Sequence, residues 1–274
     1  MPAYQFTRLP RAVLVVAGDD RKTFLQGLIS NDIAKAGADK ALWAAFLTPQ
    51  GKFLWDLFIV EDGETVLIDV EAATAEAFRK KMSLYKLRSK VTITASDLAV
   101  FAVFGGDGPL PAGAVADPRL AGMGGRLYAA EVPTGLAEVP LAVWDGLRFA
   151  LGVPDGSRDM VVDKSLLLEN GFDELGGVDF NKGCYMGQEL TARTKYRGLV
   201  RKRLLPVTFD GAAPAAGSPV LAGEIEAGEM HSGGDGAGLA MLRLEHVRAG
   251  TALMCGGKGL NVTIPAWMVL PESE

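Results

Sequence analysis

The chain has 274 residues, of which 49% are hydrophobic and 22% charged, enough apolar material for the cores of one large or two to three small domains. Its formal net charge of −5 excludes a general attraction to nucleic acid or to an anionic membrane, so any anion site must be a local patch. Two cysteines and two histidines are too few and too scattered along the chain for the usual four-cysteine cluster site or a structural zinc site.

The N-terminal region carries two arginines, Arg8 and Arg11, followed by a short apolar run over 12–17. This run is far shorter than the core of a signal peptide, and no run in the sequence approaches the roughly 20 apolar residues of a membrane span. We therefore expect a cytoplasmic location, in which both cysteines, Cys184 and Cys255, are free thiols.

The first 104 residues alternate between helical and extended patterns. A helix with an aspartate cap is predicted to begin after Gly18, and a second helix is predicted over 71–84. The first three predicted strands are separated by tight turns and form a meander. The unit is therefore of the α+β type. The predicted strands of this region cover 42–48, 53–60, 65–70, 90–95 and 98–104.

Glycine and proline crowd from 105 to 125, which predicts loops around a single strand at 126–132. A helix is predicted at 141–151. After a loop at 211–219, short strands separated by glycines follow, and the longest of them covers 238–247. A small C-terminal β-barrel is the simplest interpretation of this region.

One stretch of the sequence combines several residue types that carry chemistry. It reads Lys182-Gly183-Cys184-Tyr185-Met186-Gly187-Gln188-Glu189-Leu190-Thr191-Ala192, followed by Arg193. Cationic neighbours favour the thiolate, which is the nucleophilic and metal-binding form of cysteine. Cys184 is therefore a candidate for redox, covalent or metal-transfer chemistry, and its alternative role is that of a small buried hydrophobic residue. Cys255 has no comparable neighbourhood and is predicted to be structural.

The polar residues around Cys184 each allow two interpretations. Lys182 can raise the thiolate population or hold an anion, while Gln188 and Glu189 can bind the amide or amino edge of a ligand. Alternatively, these side chains are local scaffolding, with Glu189 paired to Lys182 or to Arg193.

The motif from Lys182 to Arg193 resembles the signature of the YgfZ-type folate-binding proteins. That family assists iron–sulfur cluster maturation and is related to the glycine-cleavage T-protein, an aminomethyltransferase. The resemblance covers most of the chain, because four further segments match in the expected order. These segments are 18–32, 47–60, 147–154 and 238–247.

This resemblance implies an α+β fold, arranged as a T-protein-like ring of three domains around a folate pocket. The first α+β domain is discontinuous, comprises 1–45 and 141–198, and carries the cysteine motif. The second α+β domain is inserted at 46–140. A small C-terminal β-barrel at 199–274 completes the ring.

Asp56 is the only charge in the apolar run 53–60, so it needs solvent, an ion-pair partner or a ligand. It matches an aspartate that contacts the reactive region of the folate in the T-protein, and Trp43 stands where that family has a tyrosine at the pocket wall. The resemblance thus implies tetrahydrofolate, or a one-carbon derivative, bound by these two residues. The alternatives are a structural ion pair for Asp56 and a core position for Trp43. Further candidates for contacts to this cofactor are Lys182, Gln188, Glu189 and Arg193, and no metal ligands are predicted.

The sequence departs from the T-protein pattern at one informative position. The T-protein carries a glutamate that meets the pterin on the helix matching 147–152, and this chain has Ala150 there. The difference argues against aminomethyl transfer. We therefore predict a protein that is not a conventional enzyme and that, if it turns over a substrate, resembles a tetrahydrofolate-dependent aminomethyltransferase.

The segment from Arg193 to Arg203 holds six basic residues and no acid in eleven positions. Such a patch suits a polyanion, either the glutamate tail of a folate or a phosphate backbone. Alternatively, it is a solvated strand edge on which the cations discourage aggregation.

Taken as a whole, the resemblance implies a folate-binding accessory protein that supports assembly or repair of iron–sulfur clusters in client enzymes, using Cys184 beside a tetrahydrofolate pocket. Its partners are then iron–sulfur assembly proteins and cluster-containing clients, and an effect on tRNA modification follows from modifying enzymes that carry clusters. One alternative is a tetrahydrofolate-dependent aminomethyl or methyl transferase. Another is a tRNA-binding protein that acts through the segment from Arg193 to Arg203.

Overall fold

The computed structural model describes residues 3–198 and 200–271, which form two five-stranded sheets and one closed barrel. The helices are α1 Arg21–Gln26, α2 Ala75–Tyr85, α3 Leu141–Leu151, α4 Gln188–Tyr196 and α5 Leu244–Arg248. The strands are β1 Gln5–Arg8, β2 Arg11–Ala17, β3 Leu42–Leu47, β4 Phe53–Asp62, β5 Thr65–Glu71, β6 Thr92–Ala95, β7 Ala99–Phe104, β8 Ala114–Ala116, β9 Gly125–Ala129, β10 Ala137–Glu138, β11 Lys202–Ala212, β12 Pro219–Ala222, β13 Ile225–Gly233, β14 Asp235–Arg243, β15 Leu253–Cys255 and β16 Lys258–Val262. None of the helices in the described ranges has the length and apolar composition needed to cross a membrane.

The first sheet has the strand order β3-β4-β5-β2-β6 and is antiparallel throughout. The predicted meander is confirmed as β3, β4 and β5, because alternation and tight turns specify pairing between neighbours along the chain. Helices α1 and α2 cover one face of this sheet. The buried cluster under them includes Phe24, Leu25, Phe46, Phe78 and Met82.

This first sheet crosses the predicted division of the chain. Strand β2 belongs to the predicted segment 1–45, yet it pairs with β5 and β6 from the segment 46–140, and the boundary after residue 45 falls inside β3. The division came from the family resemblance, whereas the sheet is formed by hydrogen bonds between strands distant in sequence. Residue 45 is therefore not a break between sheets, and the domain ranges stay a prediction.

The second sheet has the order β10-β1-β7-β9-β8. The strand predicted at 126–132 is observed as β9, which ends at Ala129. Two flanking strands, β8 and β10, are too short to be seen as alternation in the sequence. Helix α3 packs against this sheet through Trp144, which shares a buried cluster with Val100 and Phe104. On its other side, α3 packs against the barrel through Phe149, next to Leu239.

The C-terminal barrel is closed in the order β11-β14-β13-β12-β15-β16, which confirms the predicted barrel. Its interior is apolar and contains Cys255 among residues such as Val220 and Leu242. The strand predicted at 238–247 is correct only to Arg243, because residues from Leu244 onward form α5. A run of four or five residues is too short for its period to distinguish a strand from one helical turn.

Two predictions about the helices of the first 104 residues are also corrected. Asp20 precedes α1 but does not cap it, since its Oδ2 atom accepts a hydrogen bond from Lys90 N at 2.7 Å. The helix predicted over 71–84 begins as a turn of 3-10 helix at Ala72–Thr74 and becomes α2 at Ala75, because β5 continues through Glu71. For α1, the tertiary hydrogen bond between Asp20 and the loop before β6 thus replaces the local cap.

Candidate functional site

The cysteine motif forms a loop at 182–187 that leads into α4. Lys182 begins this loop, and its Nζ atom donates three hydrogen bonds to backbone carbonyls of the turn after α1. The acceptors are Gln26 O at 2.8 Å, Ile29 O at 2.6 Å and Asn31 O at 2.7 Å. An ammonium group has three donors, so all the donors of Lys182 are used inside the protein.

These contacts give Lys182 a specific structural role. Burial lowers the pKa of Lys182 to about 8, although the attraction of Asp32 and Asp179 raises it. The ammonium also lies 5.1 Å from the centre of the Tyr185 ring, within the range of a cation–π contact. Lys182 therefore ties the motif loop to α1 and leaves no free donor for an anion. Its predicted effect on the thiol stays a prediction.

A close approach between two glycines holds the other end of the motif loop. Gly187 precedes α4 with a φ of +82°, and a Cβ atom there would lie 2.5 Å from Thr48 O and 2.9 Å from the Cα of Gly51. Gly51 lies in the turn between β3 and β4. Both the left-handed backbone and the close contact require glycine at position 187. The motif loop is thus packed against the first turn of the meander.

The two cysteines differ in accessibility. Cys184 is exposed within the loop, whereas Cys255 is buried in the barrel. The alternative of a small buried hydrophobic residue is therefore excluded for Cys184. The next residue, Tyr185, is buried, and its backbone N donates to Gln188 Oε1 at 3.1 Å. An exposed thiol in a loop anchored at both ends is accessible to a partner at a defined position.

The other polar residues of the motif lie on α4. The amide oxygen of Gln188 is engaged inside the motif by Tyr185 N, while Glu189 and Arg193 are exposed. Glu189 and Arg193 line an open depression of about 360 Å³ together with Tyr196. The pairing of Glu189 with Lys182 is not formed, because the ammonium of Lys182 is bound by the three carbonyls. These residues do not meet Asp56 or Trp43, whose surroundings are different.

Asp56 and Trp43 lie together on the face of the first sheet that is opposite to α1 and α2. The register pairs Trp43 with Phe58 and Ala45 with Asp56, which puts these four residues on one face. The indole Nε1 of Trp43 donates to Asp56 Oδ2 at 3.4 Å. The Trp43 ring is also stacked on Phe172, with 3.8 Å between ring centroids. Asp56 and Trp43 therefore touch each other, and their role as the walls of a folate pocket stays a prediction.

The Asp56 carboxylate belongs to a buried cluster of charges that the sequence did not predict. Arg11 Nη1 donates to Asp56 Oδ1 at 3.1 Å, and Arg11 Nε donates to Asp69 Oδ1. Asp69 also accepts from Arg126 Nη1 at 2.8 Å. The guanidinium of Arg126 lies 3.2 Å from the centre of the Phe58 ring. Asp69 is flanked by apolar strand residues just as Asp56 is, and this was the available signal for the cluster.

A second buried pair extends the same cluster. Arg119 forms a bidentate pair with Asp117, through Nε at 2.9 Å and Nη2 at 2.7 Å. Its Nη1 donates to Pro154 O at 2.8 Å, and its guanidinium lies 4.8 Å from the Phe58 ring centre. Charged side chains in this number rarely enter a protein interior unless they are paired. The centre of the molecule is thus filled by arginine–aspartate pairs around Phe58.

This packing bears directly on the folate that the resemblance implies. Asp56 is 1% exposed and Trp43 is 0% exposed. A folate could reach them only by displacing Arg11 from Asp56 and Phe172 from Trp43. A cavity of about 300 Å³ borders the cluster at Arg11 and Asp155, but its lining includes neither predicted residue. As they lie here, the residues do not fit a folate at the predicted place.

The basic segment from Arg193 to Arg203 is divided by the fold. Arg203 is buried and donates to Glu174 at 2.7 Å, and Lys195 pairs with Asp173. Lys195 is exposed although it is paired, and the other exposed cations of the segment are Arg193, Arg197, Arg201 and Lys202. Two acids that are distant in sequence therefore neutralise part of the predicted patch.

Comparisons with known proteins agree with this architecture. The family model "CAF17, C-terminal beta-barrel domain" matches residues 201–270, which is the closed barrel. A crystal structure of the glycine cleavage system aminomethyltransferase T from Bartonella henselae superimposes with a TM-score of 0.77. The match covers 97% of this chain and 86% of that one at 15% sequence identity. This chain therefore has the T-protein fold with a CAF17-type barrel, which defines its structural class.

Within this class, sequence similarity identifies the family. The iron–sulfur cluster assembly factor IBA57 of Mus musculus is 35% identical over 87% of this chain and 77% of its own length. The factor of the same name from Homo sapiens is 35% identical over 94% of this chain and 83% of its own. The chain belongs to the IBA57 family of iron–sulfur cluster assembly factors, as the resemblance to YgfZ-type proteins predicted.

The same comparison corrects the predicted cytoplasmic location. The relatives from Mus musculus, Homo sapiens and Neurospora crassa are all named as mitochondrial, which points to mitochondria and contradicts the prediction. The prediction rested on the short apolar run at 12–17. That run is part of β2 in the first sheet, so its length reflects a strand and carries no information about the compartment.

Proposed function

We propose that this protein takes part in iron–sulfur cluster assembly and that Cys184 is the group through which it contacts a cluster or the carrier of a cluster. The relatives named as iron–sulfur cluster assembly factors support the general role. The observation that carries the specific role is the exposed thiol of Cys184 in a loop anchored by Lys182 and Gly187. Its partners are iron–sulfur assembly proteins and cluster-containing client enzymes.

The chemistry of one thiol limits what this site does alone. A thiolate is a soft ligand that suits iron in clusters, and a common cluster needs four such ligands. Within residues 3–198 and 200–271, no group of three or more potential metal ligands is found. In the proposed role, Cys184 therefore supplies one ligand, and a partner protein supplies the others.

The anchoring of the motif loop supports a role in which Cys184 supplies one cluster ligand and a partner protein supplies the others. A ligand held at a fixed position loses little conformational entropy when it binds, and a partner can approach it from solvent. The clamp of Lys182 on the turn after α1 and the contact of Gly187 with Gly51 provide this rigidity. The loop thus presents the thiol in the same place before and after binding.

Tetrahydrofolate has no part in the proposed role. Two of the six side chains predicted to contact it, Asp56 and Trp43, are in contact with Arg11 and Phe172 instead. Folate binding stays a prediction from the resemblance, and Ala150 on α3 argues against aminomethyl transfer although the fold is that of the T-protein.

Complementation tests the proposal. In cells that lack their own homologue, the wild-type chain is expected to restore the activity of cluster-containing enzymes, and Cys184→Ser is expected to restore less than a tenth of it, since serine is a poor ligand for iron. The measurements are the activities of such enzymes and the abundance of the protein. Cluster-dependent tRNA modification provides a downstream readout.

Cys255→Ser is the matched control, because it makes the same atomic change at the buried cysteine. It is expected to restore activity in proportion to the amount of folded protein. Full restoration by Cys184→Ser at normal abundance would show that this thiol is dispensable and that the proposed role is wrong.

A further inference from the structure

A second basic segment lies at the C-terminal end of α2. Residues 79–90 hold six cations and no acid: Arg79, Lys80, Lys81, Lys86, Arg88 and Lys90. The first two pair with Glu76. Among the ion pairs of the described residues, the other four cations have no acidic partner. We call the last turn of α2 and the loop through Lys90, residues 81–90, the basic tip.

The basic tip also exposes two large apolar side chains. Leu84 is 71% exposed and Leu87 is 89% exposed. Leu87 has a φ of +44°, in the left-handed region that a leucine rarely adopts and that costs of the order of 1 kcal/mol or more. Single exposed leucines are common on protein surfaces, but here two lie three positions apart between unpaired cations. Leu87 is almost fully exposed in this strained conformation.

The basic tip is firmly attached to the body of the protein. Phe78 and Met82 of α2 are buried in the core under the first sheet, and Tyr85 packs edge-on against Phe46 at 6.0 Å between centroids. At the end of the loop, Lys90 N donates to Asp20 Oδ2 at 2.7 Å. The two exposed leucines are therefore held in place by the packing of α2 and by the hydrogen bond at the end of the loop.

We propose that the basic tip binds an anionic lipid bilayer, with Leu84 and Leu87 inserted at the interface and the four cations against the headgroups. Apolar side chains inserted at the level of the headgroups, combined with lysine and arginine, are the features of interfacial membrane binding. Each cation near an anionic bilayer adds to the attraction. The proposal is independent of Cys184 and goes beyond the role in cluster assembly.

Charge and chemistry favour a bilayer over other polyanions. The whole molecule carries a net charge of −5, so an anionic surface repels most of it and selects the tip as the point of contact. A nucleic acid attracts the same cations, but single-stranded binding uses aromatic side chains for stacking. Leucines gain nothing from a phosphate backbone and do gain from a hydrocarbon interface.

Sedimentation with lipid vesicles tests the proposal on the full chain. The protein is expected to sediment with vesicles of phosphatidylcholine mixed with phosphatidylglycerol at low salt, and not with vesicles of phosphatidylcholine alone. Binding is expected to fall as salt rises. The charge reversal Arg88→Glu/Lys90→Glu is expected to lower the partition coefficient by about tenfold or more, and Leu84→Ser/Leu87→Ser by a similar factor.

Arg193→Glu/Arg197→Glu is the matched control, because it makes the same change of charge on the exposed face of α4 and is expected to leave vesicle binding within about twofold of wild type. Thermal unfolding of all variants establishes that they are folded. The proposal is overturned by the absence of vesicle binding at low salt, by an equal loss in the control variant, or by full binding of the leucine variant. It is also overturned if only a tRNA probe binds and the tip reversal abolishes that binding, which identifies a nucleic acid as the occupant.

Discussion

At the scale of single residues, Asp56 was correctly identified from the sequence as unusual, but the sequence allowed two roles for it, a folate ligand or a member of an ion pair. A lone carboxylate in an apolar strand needs a partner or a ligand. In the fold, its partner is Arg11, at 3.1 Å, and Trp43 donates to its second oxygen. The carboxylate is therefore held inside the protein by side chains that lie far from it in sequence.

Replacing this carboxylate separates a structural role from a ligand-binding role. Asp56→Ala leaves the charge of Arg11 partly uncompensated in the interior, and we expect it to lower the free energy of unfolding by about 3 to 5 kcal/mol. Urea unfolding measures this loss. The control is Asp62→Ala at the exposed end of the same strand, which is expected to change stability by less than about 0.5 kcal/mol.

Equilibrium dialysis with tetrahydrofolate completes this test. If Asp56→Ala stays as stable as wild type and loses a measurable affinity for tetrahydrofolate, the ion-pair interpretation of Asp56 is wrong and the cofactor role is right.

At the scale of elements, the start of α4 is positioned by contact with another element and not by a side-chain cap. Its N-cap residue is Gly187, and no side chain caps the helix there. The glycine instead lets the helix approach the turn between β3 and β4, where Thr48 O and Gly51 lie. The position of the exposed cysteine thus depends on the pairing of two strands that precede it by more than a hundred residues.

Two alanine substitutions in the motif distinguish this contact from the cost of the backbone conformation alone. Gly183 and Gly187 both have positive φ, +90° and +82°, but a Cβ atom at 183 meets no atom within 4 Å. We expect Gly183→Ala to cost about 1 kcal/mol of unfolding free energy. Gly187→Ala is expected to cost at least about 2 kcal/mol more, since α4 or the turn must move.

Denaturant unfolding of both variants gives the two free energies, and complementation by Gly187→Ala reports whether the displaced loop still presents Cys184. Equal losses of stability in the two variants would mean that the contact with the turn is not tight.

At the scale of the whole molecule, buried ion pairs connect the two sheets to each other and helix α3 to the barrel. Arg11 comes from the first sheet and Arg126 from the second, and both bind Asp69. Arg148 of α3 pairs with Asp159 at 2.6 Å and donates to Ser232 of the barrel at 2.8 Å. Such pairs add little net stability compared with apolar packing, but they require specific partners, so they define how the parts are arranged.

The pH dependence of stability is expected to reflect this network through Asp155. Burial by itself raises the pKa of Asp155, but the attraction of Arg148, Arg11, Arg158 and Arg119 outweighs it and lowers the pKa to about 2. The folded-state pKa is thus below the unfolded value of about 3.9. Its stabilising contribution is present above about pH 4 and is lost as the pH falls toward 2.

Urea unfolding at a series of pH values measures this contribution. Between about pH 5 and pH 2, the difference in unfolding free energy between wild type and Asp155→Asn is expected to shrink by about 2 kcal/mol. Asp107→Asn, which removes an exposed carboxylate, is the control, and its difference in unfolding free energy from wild type is expected to stay constant over this pH range. A constant difference between wild type and Asp155→Asn over this range would contradict the assigned role.

The sequence predicted some parts of the fold and not others, because some depend on neighbouring residues and others on distant ones. The meander at 42–70 and the barrel were predicted because alternation and turn residues act between neighbours along the chain. The predicted aspartate cap is not formed, because the carboxylate of the N-cap residue Asp20 accepts a hydrogen bond from Lys90 N, 70 residues away. Strands of two or three residues, such as β8 and β10, carry too few positions to show a period.

The sequence by itself determined the meander, the barrel, the family resemblance and Cys184 as the residue of interest, because each depends on residue types at short spacings. Only the tertiary structure decided that Asp56 pairs with Arg11, that Lys182 binds three carbonyls near α1, and that Leu87 is displayed on a basic tip. These outcomes depend on strand register and on packing between segments up to 156 residues apart. The residue type determines which kind of partner a buried polar side chain needs, and the fold determines which particular residue is that partner.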